Sequence, residues 1–267
     1  FLALCTSNLP DVAVVPSENF NTVLFTGNGS TQTVTGTGFQ PDWVWNKSRN
    51  TTHGHALFDA VRGGTRRLAS ESTQEERTNE GNIAFTSDGF NVTASHPTVN
   101  NNNSPMVSWN WKAGNATLGT GDFTQGSTAS TCSRNVDAGF SIVSYTGNGS
   151  AGATIGHGLN SIPEMIFLKS RTSSIAWGGQ NATTGATKNL FLNQTDAAES
   201  NILYWNNTAP TTNVFSLGAS HVVNKSSDNY IAYCFHSVDG YSKVGTYSGN
   251  GNADGTFVYT GFRPAFV

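Results

Sequence analysis

One stretch of sequence occurs more than once along the chain and decides how the rest is interpreted. It runs from Phe20 to Arg49 as FNTVLFTGNGSTQTVTGTGFQPDWVWNKSR. It returns from Phe140 to Arg171 as FSIVSYTGNGSAGATIGHGLNSIPEMIFLKSR and begins a third time at Tyr241 as YSKVGTYSGNGNADGTFVYTGFRPAFV. Each copy has an aromatic-led extended run, a GNG turn, a Thr- and Gly-rich second run and a proline that opens a third apolar run. Internal repetition of this kind indicates a repeat architecture.

The pattern inside each copy is that of β-structure. In the first copy Val23 and Phe25 alternate with threonine and leucine, and a period of two is typical of a strand. The segment Gly27-Asn28-Gly29 predicts a hairpin turn, because Asn and Gly adopt the positive φ angles that such turns need. Pro41 stands at the start of the next run, where its missing N–H matters least. The chain is therefore predicted to be all-β, with tandem antiparallel β-sandwich repeats of the jelly-roll or lectin-like kind.

The spacing of the copies divides the chain into four parts. The parts are residues 1–19, the end of an upstream domain and a linker; residues 20–138, a first sandwich repeat; residues 139–239, a second repeat; and residues 240–267, either the first hairpin of a truncated third repeat or the closing strands of the second. The later halves of the first two copies also match, since VSWNW at 107–111 corresponds to IAYCF at 231–235.

Composition argues against several classes of function. Only 12% of the residues are charged, about half the usual share of roughly 25%. The net charge of −3 gives no electrostatic case for nucleic-acid binding. No run approaches the roughly 18 consecutive apolar residues of a transmembrane helix, so no membrane insertion is predicted. The three cysteines, Cys5, Cys132 and Cys234, are too scattered for a disulfide framework or a zinc site.

Two arrangements of histidines are candidates for metal ligands. His53 and His55 lie near Asp59 and share one face of an extended run, but no further ligand follows at a recognisable spacing. His96 and His221 each follow an Ala-Ser dipeptide and are predicted to occupy matching positions in the two copies. A contact within a turn is the favoured interpretation for that second pair, and no metal ligand is predicted.

The segment Gly147–Gly152 fits the G-x-G-x-x-G pattern of a dinucleotide-binding loop. Such a loop precedes a helix, whereas the extended run Ala153-Thr154-Ile155 follows here. The other two copies lack the third glycine. A hairpin turn is favoured, and no cofactor is predicted.

Acidic and aromatic residues supply the last candidates. Glu71, Glu75, Glu76 and Glu80 fall in the charged segment 65–80, which is predicted to be a solvated surface loop. Glycosidases need two carboxyl groups that face each other across a cleft, and one loop does not provide them. Trp177, Tyr204 and Trp205 lie in turn-rich surroundings, where they either stack on a sugar ring or fill a core, and the core is favoured. No catalytic residue and no enzymatic activity are predicted.

Several of these motifs together resemble one family. The motifs are GFQPDWVWNKSR at 38–49, LFDAVRG at 57–63, AGFSIVSYTGNG at 138–149, IPEMIFLKSR at 162–171, YWNNTAPT at 204–211 and GYSKVGTYSGNG at 240–251 with GFRPAFV at the end. They resemble the tandem-repeat domain of uncharacterised, fibre-like structural proteins in the virions of marine tailed bacteriophages, including cyanophages. The opening FLALCTSNLP is similar to the end of a concanavalin/SPRY-like domain that often precedes these repeats. The resemblance implies that both ends of this sequence are cuts through a longer protein.

The resemblance implies a structural function in the virion, as a tail fibre, a tail-associated spike or a head fibre. The chain is then expected to be a homo-oligomer, with a trimer as the guess, and to contact other virion proteins. Two alternatives stay open. One is an adhesin module that binds polysaccharide of the host surface, and the other is a polysaccharide depolymerase.

Overall fold

The computed structural model describes residues 14–93 and 96–267. Almost all regular structure in it is antiparallel β-sheet, so the all-β prediction is confirmed. The strands are β1 (Phe20–Thr26), β2 (Gln32–Thr35), β3 (Trp43–Ser48), β4 (Ala56–Asp59), β5 (Arg66–Arg67), β6 (Arg77–Thr78), β7 (Ile83–Thr86), β8 (Gly89–Val92), β9 (Pro105–Trp111), β10 (Ser130–Asn135), β11 (Phe140–Thr146), β12 (Ala153–Gly156), β13 (Met165–Ser170), β14 (Gly178–Asn181), β15 (Lys188–Phe191), β16 (Glu199–Ser200), β17 (Val214–Leu217) and β18 (Asn229–Phe235). The short helices are α1 (Pro97–Asn100), α2 (Ile202–Trp205) and α3 (His221–Asn224).

Two β-sandwiches follow each other along the chain. In sandwich 1, a sheet with the order β1-β9-β3-β4 packs against a sheet with the order β2-β8-β7. In sandwich 2, a sheet with the order β10-β11-β18-β13-β14-β15-β16 packs against the pair β12-β17. Alternating apolar side chains on the facing strands fill each sandwich, as a period of two requires.

The strand order is shared by the two sandwiches. The order β1-β9-β3-β4 recurs as β11-β18-β13-β14 inside the larger sheet. The register recurs as well, since Phe20 pairs with Trp111 in sandwich 1 and Phe140 pairs with Phe235 in sandwich 2. The tandem-repeat assignment stays a prediction, and these shared pairings are what the structure adds to it.

A third apolar cluster, here called the junction, lies between the two large sheets. It contains Trp43, Leu57 and Trp111 from sandwich 1 and Phe140 and Tyr233 from sandwich 2. Each large sheet is therefore covered on both faces, by its own small sheet and by the other large sheet. The result is a stack of four sheets with three cores, in place of two sandwiches with separate cores.

The GNG segments do not form the predicted hairpins. β1 pairs with β9 and β2 pairs with β8, so the turn after Phe25 carries the chain from one sheet of sandwich 1 to the other. Asn100 explains the difference, because its side-chain oxygen accepts from the Asn28 N–H at 2.9 Å and its amide donates to the Ser30 carbonyl. A side chain from α1 therefore holds the turn by hydrogen bonds.

The glycine of each turn is required by a close approach of backbone. A Cβ on Gly27 would collide with the carbonyl of Asn101, and one on Gly147 would collide with the carbonyl of Lys225. Only glycine avoids both contacts. The repeated TGNG is thus explained by packing against the segment after a short helix.

The structure differs from the predicted division at residue 138 and in the segment 240–267. Strand β10 lies before the predicted boundary at residue 138, yet it pairs with β11, which lies after it. Residues 240–267 form neither the predicted hairpin nor closing strands, and only an isolated bridge joins Val238 to Ser242. Their counterparts in sandwiches 1 and 2 pair with strands from the later half of each unit. The segment predicted to close an upstream domain, and Cys5 within it, lie outside the described residues.

Candidate functional site

The junction combines a cluster of aromatic rings with buried charged side chains. Trp43 lies at its centre and is 2% exposed. Its ring stacks on Tyr233 with centroids 4.3 Å apart, and it also meets Trp111 at 4.5 Å and Phe140 at 5.7 Å. Aromatic pairs at these separations stabilise a contact beyond the area they bury. The first strand residue after Pro41 thus joins one sandwich to the other.

A buried ion pair lies at the edge of the aromatic cluster. The side chains of Asp59 and Arg62 are fully buried, and Arg62 Nε donates to Asp59 Oδ2 at 2.5 Å. Tyr233 of sandwich 2 donates its hydroxyl to the same oxygen at 2.7 Å. Arg62 lies in the turn after β4, and its backbone N–H donates to Asp59 Oδ1 at 2.8 Å. The local turn therefore orients the carboxylate that the tyrosine then uses.

Glu76 extends this network to Arg171, the residue that follows β13 in sandwich 2. Arg171 donates from Nε to Glu76 Oε2 at 2.8 Å and from Nη2 to Oε1 at 3.0 Å. Arg62 also donates to Oε2, at 3.1 Å. The backbone N–H of Glu76 donates to the Arg171 carbonyl at 2.9 Å. A bidentate arginine–carboxylate pair supported by a backbone hydrogen bond fixes both position and direction.

The electrostatics of the network favour the charged forms. Burial disfavours the charge on Arg62, but Asp59, Tyr233 and Glu76 hold the pKa of Arg62 above its ordinary value. Burial likewise opposes the charge on Glu76, and Arg171 with Arg62 holds the pKa of Glu76 below its ordinary value. Each charged side chain of the network forms an ion pair with another member of it. The arrangement can clamp two sandwiches together, and it offers no free acid or base.

The predicted histidine and carboxylate group is divided by the structure. Asp59 belongs to the junction, whereas His55 accepts at Nδ1 from the indole N–H of Trp45 at 2.7 Å. Burial lowers the pKa of His55. Within residues 14–93 and 96–267, no three side chains of His, Cys, Asp or Glu converge as a metal site would require.

The prediction that His96 and His221 occupy matching positions is wrong by one residue. His96 is the N-cap of α1 and accepts from the N–H of Thr98, whereas Ser220 is the N-cap of α3 and accepts from the N–H of Val222. His221 is the first residue of α3 and is exposed. Serine is a common N-cap, and the imidazole of His96 performs the same function in the first sandwich.

The charged segment is only partly the solvated loop that was predicted. Its residues include β5 and β6, and the side chain of Glu76 is 5% exposed. Glu80 is paired with Arg67 and Arg77, and Glu71 accepts from the N–H of His55. A polar pocket of about 210 Å³ is lined by Glu75, Glu76, Glu80 and neighbouring residues. Glu76 and Glu80 therefore pair with arginines, Glu71 accepts from a backbone N–H, and Glu75 lines the pocket.

The aromatic residues considered for sugar stacking are core residues. Trp177 and Trp205 have no exposed surface, and Tyr204 is 7% exposed. Trp177 donates its indole N–H to the carbonyl of Ala69 at 2.9 Å, across the junction. A ring stacks on a sugar only when one face is open, so the core interpretation of these residues is correct.

The glycine-rich loop and the cysteines offer no chemistry either. The loop N–H groups of Gly147, Asn148 and Gly149 donate to protein oxygens, at 2.8, 2.9 and 2.9 Å, so they are not available to a phosphate. Cys132 and Cys234 are buried and free, and burial raises the pKa of Cys132 to about 12. A thiol held in that state is a poor nucleophile.

Sequence reasoning missed the residues that hold the junction. Arg62, Arg171 and Tyr233 were not singled out, because a charged side chain in sequence gives no sign of its burial. One signal was present: the SR dipeptide that ends the third run in the first two copies, at Ser48-Arg49 and Ser170-Arg171. Of the two arginines, Arg171 is paired with Glu76, whereas Arg49 is exposed and has no carboxylate partner among the described residues.

Comparisons with known proteins add one relationship. Among the described residues, no helix has the length and apolarity needed to cross a bilayer. No curated protein and no solved structure matches the chain. One family model, a domain of unknown function termed DUF7483, matches residues 15–267, which include both sandwiches, the junction and the third copy. The chain belongs to the DUF7483 family.

Proposed function

We propose that the chain is a non-enzymatic structural component of a tailed-phage virion, of the tail-fibre, tail-associated spike or head-fibre class. The observation that supports this most is the junction, in which Trp43 of sandwich 1 is buried against Tyr233 of sandwich 2. Interfaces between domains are usually polar and permit motion. A shared aromatic core with buried ion pairs is expected to make the two sandwiches move as one body, which a fibre or spike requires.

The surface composition supports the same proposal. Few charges are present, and much of the arginine and glutamate is used inside the junction or in pairs beside it. Association between such surfaces depends weakly on salt, because screening acts mainly on exposed charges. The proposed assembly is a homo-oligomer, with a trimer as the first candidate, in contact with other virion proteins. Its proposed location is the virion.

The two alternatives have weaker support. Adhesion to host polysaccharide would need open aromatic faces, and the three aromatics considered for it lie in cores. Depolymerase activity would need an opposed carboxyl pair, and the four candidate glutamates bind arginines and backbone groups or line a polar pocket. The structural function asks only for a stable body with surfaces that pack.

The test is to locate the protein in particles of a phage whose genome encodes it. We expect mass spectrometry of purified particles to detect the chain, and gold-labelled antibodies to mark a fibre or spike. A phage encoding Trp43→Ala should lose that label, because truncating a buried tryptophan costs about 3–5 kcal/mol. Leu24→Ala is the matched control, since Leu24 is 61% exposed and should keep the label.

Two results would contradict the proposal. One is a chain absent from purified particles although it is made in infected cells. The other is turnover of host polysaccharide by the purified chain, which would favour the depolymerase alternative. Binding of host cells by the purified chain without its presence in particles would favour a free adhesin.

A further inference from the structure

The same aromatic contact is made twice in this molecule. Aromatic site 2 consists of Phe140, Tyr233 and Phe235, and Trp43 lies 5.7, 4.3 and 6.1 Å from their ring centroids. Aromatic site 1 consists of Phe20, Trp109 and Trp111, and Phe266 lies 6.2, 5.4 and 5.3 Å from theirs. Each site thus holds one ring supplied by another copy of the repeated sequence.

The register shows that the two sites are built at matching positions. Phe20 pairs with Trp111 across β1 and β9, and Phe140 pairs with Phe235 across β11 and β18. Trp109 and Tyr233 each lie two residues before the end of the last strand.

The two inserted rings match as well. Trp43 follows Pro41-Asp42, and Phe266 follows Pro264-Ala265. Sandwich 1 therefore contacts sandwich 2 in the way that the third copy contacts sandwich 1. A head-to-tail contact that is repeated either closes into a ring or continues as a filament.

Met165 is the counterpart of these rings in the second copy. It follows Pro163-Glu164, and it pairs with Phe235 as Trp43 pairs with Trp111. Instead of entering an aromatic site, Met165 lines an open apolar pocket of about 290 Å³. Phe167, Leu190, Phe191 and Leu192 line the same pocket. These residues are called the Met165 surface below.

We propose that the Met165 surface docks the aromatic site of a third sandwich of the same kind, of which residues 240–267 are the first part. Three sandwiches then form a closed ring of three equivalent contacts, two of which the structure contains. The occupant is an antiparallel sheet that presents an aromatic trio like those of sites 1 and 2.

The start of the third copy already lies on the required side. The N–H of Ser237 donates to Glu164 Oε2 at 2.5 Å, so the chain approaches Met165 just before the third copy begins. Tyr241 follows, and it opens the third copy one residue further from the GNG turn than Phe20 and Phe140 do. The third copy therefore begins shortly after a residue that is hydrogen-bonded beside Met165.

The third copy also carries apolar side chains that no sheet covers. Tyr247 is 70% exposed, Phe257 is 85% exposed and Tyr259 is 79% exposed. In the first two copies the same runs form strands of a sandwich. A completed third sandwich would bury these rings and supply the remaining members of its aromatic site.

The test compares the chain with a version extended after Val267 by residues 45–113 of its own sequence. That segment contains the strands of sandwich 1 that follow Val44, the counterpart of Val267, and no cysteine. Both proteins carry Met165→Cys together with Cys5→Ser, and maleimide labelling of the new thiol is timed. We expect labelling to be about tenfold slower or more in the extended protein, because docking must open first.

Leu24→Cys is the control site, since it is exposed on sandwich 1 and should react equally in both proteins. Equal labelling at position 165 in the two proteins would overturn the proposal. Protection that grows with the concentration of the unextended chain would also overturn it, in favour of a second copy as the occupant. A second extension, residues 167–239 after Val267, repeats the test with strands of sandwich 2. If neither extension adds slowly exchanging amides, the proposal fails.

Discussion

The two large sheets share a strand order and a register, here called the frame, but their inner faces carry different side chains. At three adjacent positions sandwich 2 has Leu168, Ala232 and Cys234, where the matching register of sandwich 1 has Asn46, Ser108 and Asn110. All six residues are fully buried. Sandwich 1 therefore surrounds a small polar group of side chains where sandwich 2 is apolar.

The side chains of this polar group form only part of the hydrogen bonds that their polar atoms can make. Ser108 donates its hydroxyl to Asn110 at 3.0 Å, and Asn110 donates to the carbonyl of Asn21 at 3.1 Å. Neither polar atom of the Asn46 side chain has a hydrogen-bond partner in the described part of the chain. An unsatisfied buried amide costs free energy. The comparison teaches that strand order does not depend on what fills the sandwich, whereas stability does.

The largest effect is expected when sandwich 2 is given the residue of sandwich 1. Leu168→Asn removes a fully buried side chain and buries an amide, so we expect a loss of about 4 kcal/mol in the free energy of unfolding. Urea denaturation measures the loss. Leu168→Ala separates the loss of packing from the burial of the amide. A loss below about 1 kcal/mol for Leu168→Asn would show that the apolar filling is not what stabilises sandwich 2.

Acid should weaken sandwich 2 more than sandwich 1, because a buried histidine follows β12 and a threonine stands at the matching position after β2. His157 Nε2 contacts the Thr211 carbonyl at 3.0 Å, and Nδ1 accepts from the N–H of Leu159 at 3.2 Å. The neutral ring fits both contacts. Burial lowers the pKa of His157 from 6.5 to about 4, despite the bond to Thr211. Sandwich 1 has Thr37 two residues before Phe39, as His157 lies two before Leu159.

The sign of the effect follows from the two pKa values. Between pH 6.5 and about 4 the unfolded chain binds a proton that the folded chain refuses, so stability falls as pH falls through that window. A shift of this size corresponds to about 3 kcal/mol. His157→Thr should flatten the pH dependence of the unfolding midpoint, and His221→Thr, at an exposed histidine, should leave it unchanged. Identical pH profiles for His157→Thr and the parent would refute the assignment.

The next effect tests the part of the frame that both sandwiches share. Asn224 repeats the contacts of Asn100: its oxygen accepts from the Asn148 N–H at 2.9 Å and its amide donates to the Ser150 carbonyl at 3.0 Å. Asn224→Ala and Asn100→Ala should each cost about 2 kcal/mol, because a buried N–H and a carbonyl lose their partners. Hydrogen exchange should show faster opening of the altered sandwich alone. Similar costs are expected, and a cost in only one sandwich would show that the frames differ.

The sequence predicted the strands well, because apolar alternation and proline position are local signals. β1, β3, β9 and their counterparts fall where the pattern places them. The hairpin after Phe25 was wrong because its geometry depends on Asn100, which lies 72 residues after Asn28. A turn that is completed by a distant side chain cannot be distinguished from a hairpin by its own residues.

The junction was not predictable for a related reason. Trp43 and Trp45 lie two residues apart on β3, and their rings are next to each other, 5.6 Å apart. That the face packs on a second large sheet, and that Glu76 of a charged segment is buried there, depends on how two sandwiches dock. Docking brings together Glu76 and Arg171, which are 95 residues apart in sequence.

The smallest effect is expected from giving sandwich 1 the residue of sandwich 2. Asn46→Leu replaces an amide that has no hydrogen-bond partner within residues 14–93 and 96–267 by an apolar side chain near Val44, Ala56 and Phe58, so we expect a gain of about 1 kcal/mol. The gain stays small because leucine is larger than asparagine and sandwich 1 must adjust to it. Thermal unfolding measures the change.

Asn110→Leu is the matched contrast, because Asn110 has hydrogen bonds to lose. It donates to the Asn21 carbonyl and accepts from Ser108, so the same substitution there should destabilise the protein. If both substitutions destabilise to the same degree, Asn46 stabilises sandwich 1 as Asn110 does, and the polar group is a required part of that core. If only Asn110→Leu destabilises, the hydrogen-bonded part of the polar group stabilises sandwich 1, and Asn46 alone lowers its stability.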